Sequence, residues 1–292
     1  MDDSPITIPR RDFLRGALAV GLLAGTHIRT AQSAERRTSL IDTNAWLDQW
    51  PVRRLALETP AALAAKLAKN DVTRAWVSSF DGMLHKDIGG VNARLAETCR
   101  RFPIFEPIGM VNLSLPRWEA DLEACATQHR MRGLRLIPGY HGYKLDDSRF
   151  AELLKLAVAH RLAVQIAVSL EDERTQNPLM RVPPVDITPL PRVLETAPDA
   201  RVMILNWPHV AAGKPVLLTL QKSGVYLDTA MIEGIAGLET TLEELPVERL
   251  CFGSYAPVFY FESAKLKLRE SELTDAQLNA INQANAQRFL GA

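Results

Sequence analysis

The residues with the clearest capacity for chemistry lie in an acidic stretch, Ser169 to Asn177, that directly follows an apolar run. This stretch contains the carboxylates of Glu171 and Glu173 and the guanidinium of Arg174. Neighbouring carboxylates in a cleft can differ in pKa and act as general acid and base, and an arginine can bind a substrate carboxylate. We therefore predict that Glu171 and Glu173 are catalytic and that Arg174 binds substrate. A surface loop with local Glu–Arg pairs is the alternative.

A second stretch, Gly139 to Lys144, places Tyr140 and His141 between two glycines. Histidine exchanges protons near neutral pH, and tyrosine forms aromatic walls of binding pockets. His141 is therefore a third catalytic candidate, and Tyr140 is a substrate-binding candidate. Ordinary packing is the alternative for both side chains.

Three histidines, His85, His141 and His209, follow different strands of the predicted fold. Three imidazoles that converge on one point could bind zinc. Their spacing lacks the close pairing of histidines that is typical of metal sites, so unrelated polar loop residues are the favoured interpretation. We keep His209 as a substrate-binding candidate and predict no metal ligand.

These stretches follow short runs rich in Val, Ile and Leu that alternate with helical patterns, which is typical of a parallel α/β fold. Eight such units predict a single (β/α)8 TIM barrel with an extra C-terminal helix. The predicted strands cover 40–44, 74–78, 105–111, 133–137, 163–168, 201–205, 225–227 and 250–253. The predicted helices cover 61–69, 91–101, 118–128, 148–160, 190–196, 216–222, 238–244, 263–268 and 275–289.

In a barrel of this kind, reactive and binding residues lie at the carboxyl ends of the strands. Asp42, Asn44 and Trp46 lie in or just after the first predicted strand, Asn206 follows the sixth, and Tyr255 follows the eighth. We therefore predict that all five line a substrate pocket. For the aromatic residues, filling of the barrel core is the alternative.

The N-terminal residues have the features of an export signal. The sequence RRDFLR begins at Arg10, and a weakly apolar run of nine residues begins at Ala17. That run is too short to span a bilayer as a mature helix. We therefore predict a twin-arginine signal peptide over residues 1–34, a periplasmic barrel domain over residues 35–292, and no stable membrane anchor. The twin-arginine export machinery is then a partner, and an ordinary amphipathic helix is the alternative.

The composition narrows the function classes. With 34 basic and 34 acidic residues, the chain lacks the positive charge expected of a nucleic-acid-binding protein. Its 47% apolar content excludes a disordered chain. A small-molecule substrate is the expected partner. We expect Tyr260 and Phe261 to pack over the barrel top, with a homo-oligomer contact as the alternative.

Three short segments carry a resemblance to a known enzyme family. They are IDTNAW from Ile41, GLRL from Gly133 and FGSYAP from Phe252. In this order they resemble the amidohydrolase superfamily, in particular the amidohydrolase-related branch that includes aminocarboxymuconate-semialdehyde decarboxylase and pyrone-dicarboxylate lactonase. The resemblance covers about residues 38–291. It implies a hydrolase or a related lyase that acts on a small carboxylated or cyclic organic substrate.

The resemblance also implies a divalent metal ion, held in part by two histidines in D-x-H-x-H and an aspartate in G-S-D-x-P. Here those positions are Asn44, Trp46 and Tyr255, and the family's histidine after the sixth strand corresponds to Asn206. An indole cannot bind a metal, and amide and phenol oxygens are weak ligands. We therefore expect that the metal site is lost and that the protein has no cofactor.

Two functions are compatible with the sequence. The first is a metal-independent enzyme that uses His141, Glu171 or Glu173 as acid or base. The second is a non-catalytic periplasmic binding or scaffold protein on the same barrel. Inward-facing acid/base residues near Asn44 or Tyr255 would favour the enzyme, whereas a mouth plugged by aromatic side chains would favour the second function.

Overall fold

The computed structural model describes residues 39–172, 174–207 and 223–291, which fall within one compact unit, Thr38–Ala292. The strands pair in parallel throughout this part of the chain. Their bounds are β1 (Leu40–Leu47), β2 (Val72–Ser79), β3 (Phe105–Pro107), β4 (Gly109–Met110), β5 (Gly133–Leu136), β6 (Ala163–Ala167), β7 (Val202–Leu205), β8 (Tyr226–Asp228) and β9 (Leu250–Cys251). Strands β1 to β3 form a three-stranded sheet and strands β4 to β9 form a six-stranded sheet. In each sheet the strands are arranged in sequence order.

The two sheets are joined along both edges, which closes the barrel. Strands β3 and β4 occupy one barrel position, because Pro107 has no N–H and interrupts the pairing there. The N–H of Ile108 donates to the carbonyl of Val77 across this break. On the other side, the N–H of Thr43 donates to the carbonyl of Phe252. The predicted (β/α)8 TIM barrel is confirmed.

Helices connect the strands and end in the predicted C-terminal helix. The longer connecting helices are Pro60–Lys69, Ile88–Arg101, Trp118–Thr127, Ser148–Ala159, Gly237–Glu244 and Phe261–Glu270. Shorter helices are Phe80–Met83, Pro138–His141, Leu190–Leu194 and Val247–Arg249. The C-terminal helix comprises Asp275–Asn279, a π-helical segment Ala280–Ala284, and Asn285–Leu290. The predicted helix over 216–222 lies outside the described residues, and no described helix has the length and apolarity to cross a bilayer.

Local sequence explains where these helices begin. Thr59 accepts a hydrogen bond from the N–H of Ala62, and Pro60 occupies the first helical position, where a missing N–H costs nothing. Thr274 and Gln277 form a reciprocal capping box at the start of the C-terminal helix. These caps fix the residues at which the two helices begin.

The sheet surface that faces the barrel axis carries an unusual number of polar side chains near the carboxyl ends of the strands. Asp42, Asn44, Arg135, Asn206 and Asp228 are all fully buried there. A bulge in β1 between Asp42 and Ala45 changes the register against β2 just before these side chains meet. Such bulges re-aim side chains near functional sites, so this end of the barrel is where a site is expected.

Candidate functional site

Asn44 lies at the centre of a buried group of polar side chains. Its Nδ2 donates to Oδ1 of Asn206 and to Oδ2 of Asp228, each at 2.7 Å, and its Oδ1 accepts from Nε1 of Trp46 at 3.0 Å. Nδ2 of Asn206 donates in turn to the carbonyl oxygen of Ser169 at 2.8 Å. Both N–H groups of the Asn44 amide are therefore committed to other protein atoms. We call this group, together with its two charged neighbours, the interior network: Asp42, Asn44, Arg135, Asn206 and Asp228.

The two carboxylates of the interior network are held by protein donors. Asp42 accepts from the backbone N–H groups of Asn44 and Ser254 and from the Ser254 hydroxyl. Asp228 accepts from the Asn44 amide and the Asn206 backbone N–H. Burial outweighs these bonds and raises the pKa of each carboxyl to about 6. At neutral pH both groups are therefore mainly charged.

Arg135 supplies the positive charge that faces these carboxylates. Its Nε donates to Oε1 of Gln165 at 2.9 Å. Its terminal nitrogens donate to the backbone carbonyls of Ala45, Thr43 and Trp76, at 2.7, 3.1 and 3.2 Å. Burial lowers the pKa of Arg135 to about 9, although Asp42 and Asp228 oppose this shift. The guanidinium thus remains charged at neutral pH.

Aromatic rings close the interior network toward the barrel mouth. Trp46 is fully buried and stacks on Phe80, with ring centroids 4.6 Å apart and planes inclined by 6°. The guanidinium carbon of Arg135 lies 4.8 Å from the Trp46 ring centroid. Trp46 therefore packs between the interior network and the loop after β2, as the core-filling alternative predicts.

Tyr255 closes the same region from the other side. It is fully buried, its hydroxyl donates to the carbonyl of Leu170 at 2.7 Å, and its N–H donates to the carbonyl of Asn44 at 2.8 Å. Tyr255 has φ = 56° and Asn206 has φ = 57°, both in the left-handed region. This conformation costs a tyrosine about 1 kcal/mol or more, and the two hydrogen bonds hold it in place. The strand ends thus keep a strained backbone while their side chains fill the mouth.

A second group of side chains, whose polar atoms have fewer hydrogen bonds, lies beside the interior network. We call its four residues the rim site: Trp50, Arg53, Tyr140 and Glu171. The side chain of Glu171 is 7% exposed, and its Oε1 lies 3.5 Å from Nε of Arg53, which is 53% exposed. Burial raises the pKa of Glu171, and Arg53 opposes that shift. The Trp50 indole packs edge-on against Tyr140, with centroids 6.4 Å apart. Its N–H lies close enough to lower the pKa of Glu171, but it forms no hydrogen bond of normal geometry.

A small crevice opens next to the rim site. Tyr140, Ser169, Leu170, Val182 and Pro183 contribute to its walls. Its enclosed volume of about 10 Å³ has room for about one water molecule.

The structure places the predicted substrate-binding residues Asp42, Asn44, Trp46, Asn206 and Tyr255 together, and it places Glu171 and Tyr140 together at the rim. His141 lies elsewhere. It ends the short helix Pro138–His141, and its Nε2 lies 3.0 Å from the carbonyl oxygen of Gly82. Burial lowers the pKa of His141 to about 4, and its Nδ1 has no partner.

The remaining predicted residues do not join either group. Arg174 is exposed and pairs with Asp172 two residues before it, as the surface-loop alternative predicts. Glu173 and His209 lie outside the described residues. His85 is exposed, and within the described ranges no group of three or more His, Cys, Asp or Glu side chains is placed to hold a metal ion. At the aromatic run, Phe261 is buried as expected, whereas Tyr260 is 82% exposed.

Four residues of these groups were not among the predicted site residues: Arg135, Asp228, Trp50 and Arg53. Two of them have sequence features that could have identified them as site residues. Arg135 is a charge inside an otherwise apolar strand, and Asp228 ends a strand. Trp50 and Arg53 had no such signal, because they lie in an irregular loop that only the fold brings to Glu171.

Comparisons with known proteins agree with this architecture. Residues 47–292 match the family model described as amidohydrolase. A comparison with curated protein sequences gave no match.

Solved structures of similar fold include several decarboxylases. 5-Carboxyvanillate decarboxylase from Sphingomonas paucimobilis is 16% identical with a TM-score of 0.65, covering 87% of this chain and 99% of that one. The Novosphingobium aromaticivorans enzyme of the same name, solved with manganese and 3-methoxy-4-hydroxy-5-nitrobenzoic acid, is 13% identical with a TM-score of 0.68, covering 88% and 98%. Dihydroxybenzoic acid decarboxylase from Polaromonas sp. JS666, solved with manganese and 2-nitroresorcinol, is 11% identical with a TM-score of 0.67, covering 87% and 97%.

Proposed function

The chain belongs to the amidohydrolase family, and from this premise we propose that it is a non-catalytic member, an exported binding or scaffold protein that retains the barrel without the metal chemistry. This function differs from that of the structural relatives, whose names describe decarboxylation of carboxylated aromatic compounds. Those relatives are at most 16% identical, so they support the fold and not the reaction.

The observation that carries the proposal is the saturation of the interior network. Around the positions where the family holds its metal, Asn44 directs N–H groups, and not a lone pair, at Asn206 and Asp228. The Tyr255 hydroxyl is engaged by Leu170, and the Trp46 indole offers no ligand atom. The side chains present at these positions therefore do not fit a divalent metal ion, which needs converging oxygen, nitrogen or sulfur lone pairs.

Metal analysis combined with a turnover assay tests this proposal. The barrel domain, residues 35–292, is purified, its metal content is measured, and 5-carboxyvanillate and 2,6-dihydroxybenzoate are offered with and without added Mn²⁺. We expect substoichiometric metal and no decarboxylation under any condition. A decarboxylase from the comparison, assayed in parallel, verifies the substrates. One tightly bound metal ion per chain, or turnover that depends on Mn²⁺, would refute the proposal.

One observation favours a second candidate, a metal-independent hydrolase or lyase. Glu171 is a buried carboxyl whose pKa is raised by burial, beside the Tyr140 ring, which is a suitable setting for a general acid or base. A screen of lactones and carboxylated aromatic compounds tests it. Turnover that is lost in Glu171→Gln and kept in the exposed control Glu195→Gln would establish this candidate, and absence of turnover in the parent protein excludes it for the compounds tested.

Export by the twin-arginine route is the remaining part of the proposal. It is supported by the RRDFLR sequence from Arg10 and the short apolar run that follows it, all outside the described residues. Cell fractionation tests it with the double variant Arg10→Lys/Arg11→Lys. We expect the parent in the periplasm and the variant in the cytoplasm, while Arg29→Lys, outside the motif, stays exported. Equal export of the double variant would contradict the route.

A further inference from the structure

We propose that the face of the barrel opposite its mouth docks on an anionic lipid surface through three arginine-rich turns. We call these turns, over residues 100–104, 128–132 and 160–162, the basic turns. This inference goes beyond the proposed function, because it concerns the other end of the barrel and needs neither a metal ion nor a ligand at the mouth.

The basic turns carry positive charge and no acidic residue. Each leads from the end of a helix into a strand, and the strands that they enter are β3, β5 and β6. Their sequences are RRFPI, QHRMR and HRL, with five arginines, two histidines and neither Asp nor Glu. Strands β4, β5 and β6 are neighbours in one sheet, and β3 shares the barrel position of β4. Neighbouring strands lie about 5 Å apart, so the basic turns form one patch at the amino ends of the strands.

Three of the five arginines have no acidic partner. They are Arg101, Arg130 and Arg161, which are exposed and form no ion pair with any residue that the structure describes. The other two pair with acidic residues outside the turns, Arg100 with Glu97 and Arg132 with Glu106. The positive charge of the three unpaired arginines therefore faces solvent.

The backbone of two basic turns indicates that packing is not the reason for an arginine there. Arg130 has φ = 53° and Arg161 has φ = 58°, so both adopt the left-handed conformation just after a helix ends. Glycine is the residue that this position favours, because a Cβ makes the conformation unfavourable. Both side chains are exposed, so burial does not offset the unfavourable backbone. Charge is the property that these two side chains contribute.

The neighbouring surfaces differ from this patch. The turn into β7 combines Arg201 with Glu195 and Asp199, so the basic patch ends there. Large exposed apolar side chains lie at the mouth and not on the basic turns, on the loops that carry Val52, Leu84, Leu179, Ile235 and Tyr260. The basic turns would therefore meet a bilayer by charge alone, which makes the contact reversible and sensitive to salt.

The arrangement of the unpaired arginines favours a layer of headgroups as the partner. They lie on separate turns, whereas a single small anion is bound by donors that converge on one point. A lipid surface presents many phosphate groups side by side, and arginine binds phosphate oxygens in pairs, so all three turns can be engaged at once. A fluid headgroup layer also needs no surface of complementary shape, which an acidic protein partner would need.

Co-sedimentation with vesicles tests the inference. The barrel domain, residues 35–292, contains the whole compact unit Thr38–Ala292. It is mixed with vesicles of phosphatidylcholine alone, or of phosphatidylcholine with an equal amount of phosphatidylglycerol. We expect binding only to the vesicles with phosphatidylglycerol, and release when about 0.5 M NaCl screens the charges. Inorganic phosphate at the same ionic strength should release no more protein than NaCl does, which distinguishes a lipid surface from free phosphate.

The double variant Arg130→Gly/Arg161→Gly tests the basic turns directly. It removes two unpaired charges, and glycine suits the left-handed backbone, so the melting temperature should stay close to that of the parent. Each arginine near an anionic surface contributes about fivefold to binding, so we expect binding to weaken by about 25-fold. The matched control, Arg174→Gln/Arg181→Gln, removes two exposed arginines from the loop after β6 at the mouth. It changes the net charge equally and should bind as the parent does.

Several results would overturn the inference. They are the absence of binding to phosphatidylglycerol vesicles at low salt, equal binding of the parent and the glycine variant, and equal losses in the glycine variant and the mouth control. Loss of binding in Leu179→Ser/Tyr260→Ser would also overturn it, because the mouth would then be the docking face. Circular dichroism verifies that each variant folds.

Two other ligands are outcomes of the same experiment. Saturable binding of inorganic phosphate that the glycine variant abolishes would identify a site for a free anion and overturn the inference. Binding to poly-glutamate without binding to vesicles would overturn it in favour of an acidic protein partner. The metal and turnover assays are independent, so a metal-bound active protein would refute the proposed function and leave the vesicle result standing.

Discussion

The interior network and the rim site lie at the same end of the barrel but differ in how completely the protein satisfies their polar groups. In the interior network, Arg135 donates to four protein oxygens, and Asn44 uses both of its N–H groups. At the rim site, Glu171 has a long contact with a half-exposed arginine and lies near the Trp50 N–H, which forms no hydrogen bond of normal geometry. Buried polar groups are costly unless paired, so a saturated group stabilises the fold and an unsaturated one contributes less to it.

The interior network also includes residues that the family resemblance aligns with metal ligands. Asn44 and Asn206 bind each other across the barrel, and Tyr255 has a backbone in the left-handed region. Gly253 supports the same arrangement, since an added Cβ would come within 2.7 Å of Oδ2 of Asp228. We therefore expect substitutions in the interior network to reduce stability strongly, and substitutions at the rim to have little effect on stability.

The largest effect is expected from Arg135→Met. The variant removes the hydrogen bonds to Gln165 and to the carbonyls of Ala45, Thr43 and Trp76, together with the positive charge facing Asp42 and Asp228. Loss of one partner from a buried charged group costs about 3–5 kcal/mol. Urea unfolding measures the change. The rim control Arg53→Met should cost about 1 kcal/mol or less. If Arg135→Met does not fold, Arg135→Lys, which keeps the charge, should still be clearly less stable than the parent. A stability equal to that of the Arg53 variant would remove the distinction between the two regions.

Asn44→Ala should produce the next largest loss. It leaves Oδ1 of Asn206, Oδ2 of Asp228 and Nε1 of Trp46 without their shared partner, for an expected loss of about 3 kcal/mol in unfolding free energy. Asn177→Ala is the matched control in the exposed loop after β6, where Asn177 accepts one hydrogen bond from the N–H of Leu179. We expect it to stay within about 0.5 kcal/mol of the parent. Similar losses in both variants would show that the network adds no stability of its own.

His141 sharpens the comparison, because it is buried like the interior network yet has an unpartnered ring nitrogen. Its folded-state pKa is about 4, below the ordinary 6.5, so below pH 6.5 the unfolded chain binds a proton that the folded protein does not. Its contribution to stability is therefore full above pH 6.5 and falls as the pH drops toward 4, by about 2 kcal/mol at pH 5.

His141→Gln should remove that part of the pH dependence while keeping a donor for the carbonyl of Gly82. Urea unfolding from pH 7 to pH 4.5 measures it. The exposed control His85→Gln should follow the parent curve. Parallel curves for the parent and the His141 variant would mean that folding does not lower the pKa of His141.

The smallest effect is expected from Tyr255→Phe. It removes one hydroxyl and leaves the carbonyl of Leu170 unpaired, for a loss of about 1 kcal/mol, which corresponds to about 2–4 °C in melting temperature. Tyr140→Phe at the rim should leave the melting temperature unchanged and is the matched control. A larger loss in Tyr140→Phe than in Tyr255→Phe would place the structural tyrosine at the rim.

Much of the fold and part of the candidate site could be predicted from the sequence. The alternation of apolar strands and helical patterns predicted the barrel, and Pro107 was the local cause of a break that the predicted strand 105–111 did not show. Asn44, Asn206 and Tyr255 were recognisable because strand ends meet at one face. The pairing of Arg174 with Asp172 was not predictable, because an exposed loop pair and a substrate-binding arginine have the same sequence.

What the sequence determined by itself is local: the period of each element, the caps of its helices, and the residue types at the strand ends. What only the tertiary structure decided is which of those residues meet. Asn44 bonds Asn206 and Asp228 across separations of 162 and 184 residues, and Arg53 reaches Glu171 from a loop after β1. Closure of the barrel creates those contacts, and burial then decides their strength. The same residue types are therefore saturated by protein atoms at the centre and only partly paired at the rim.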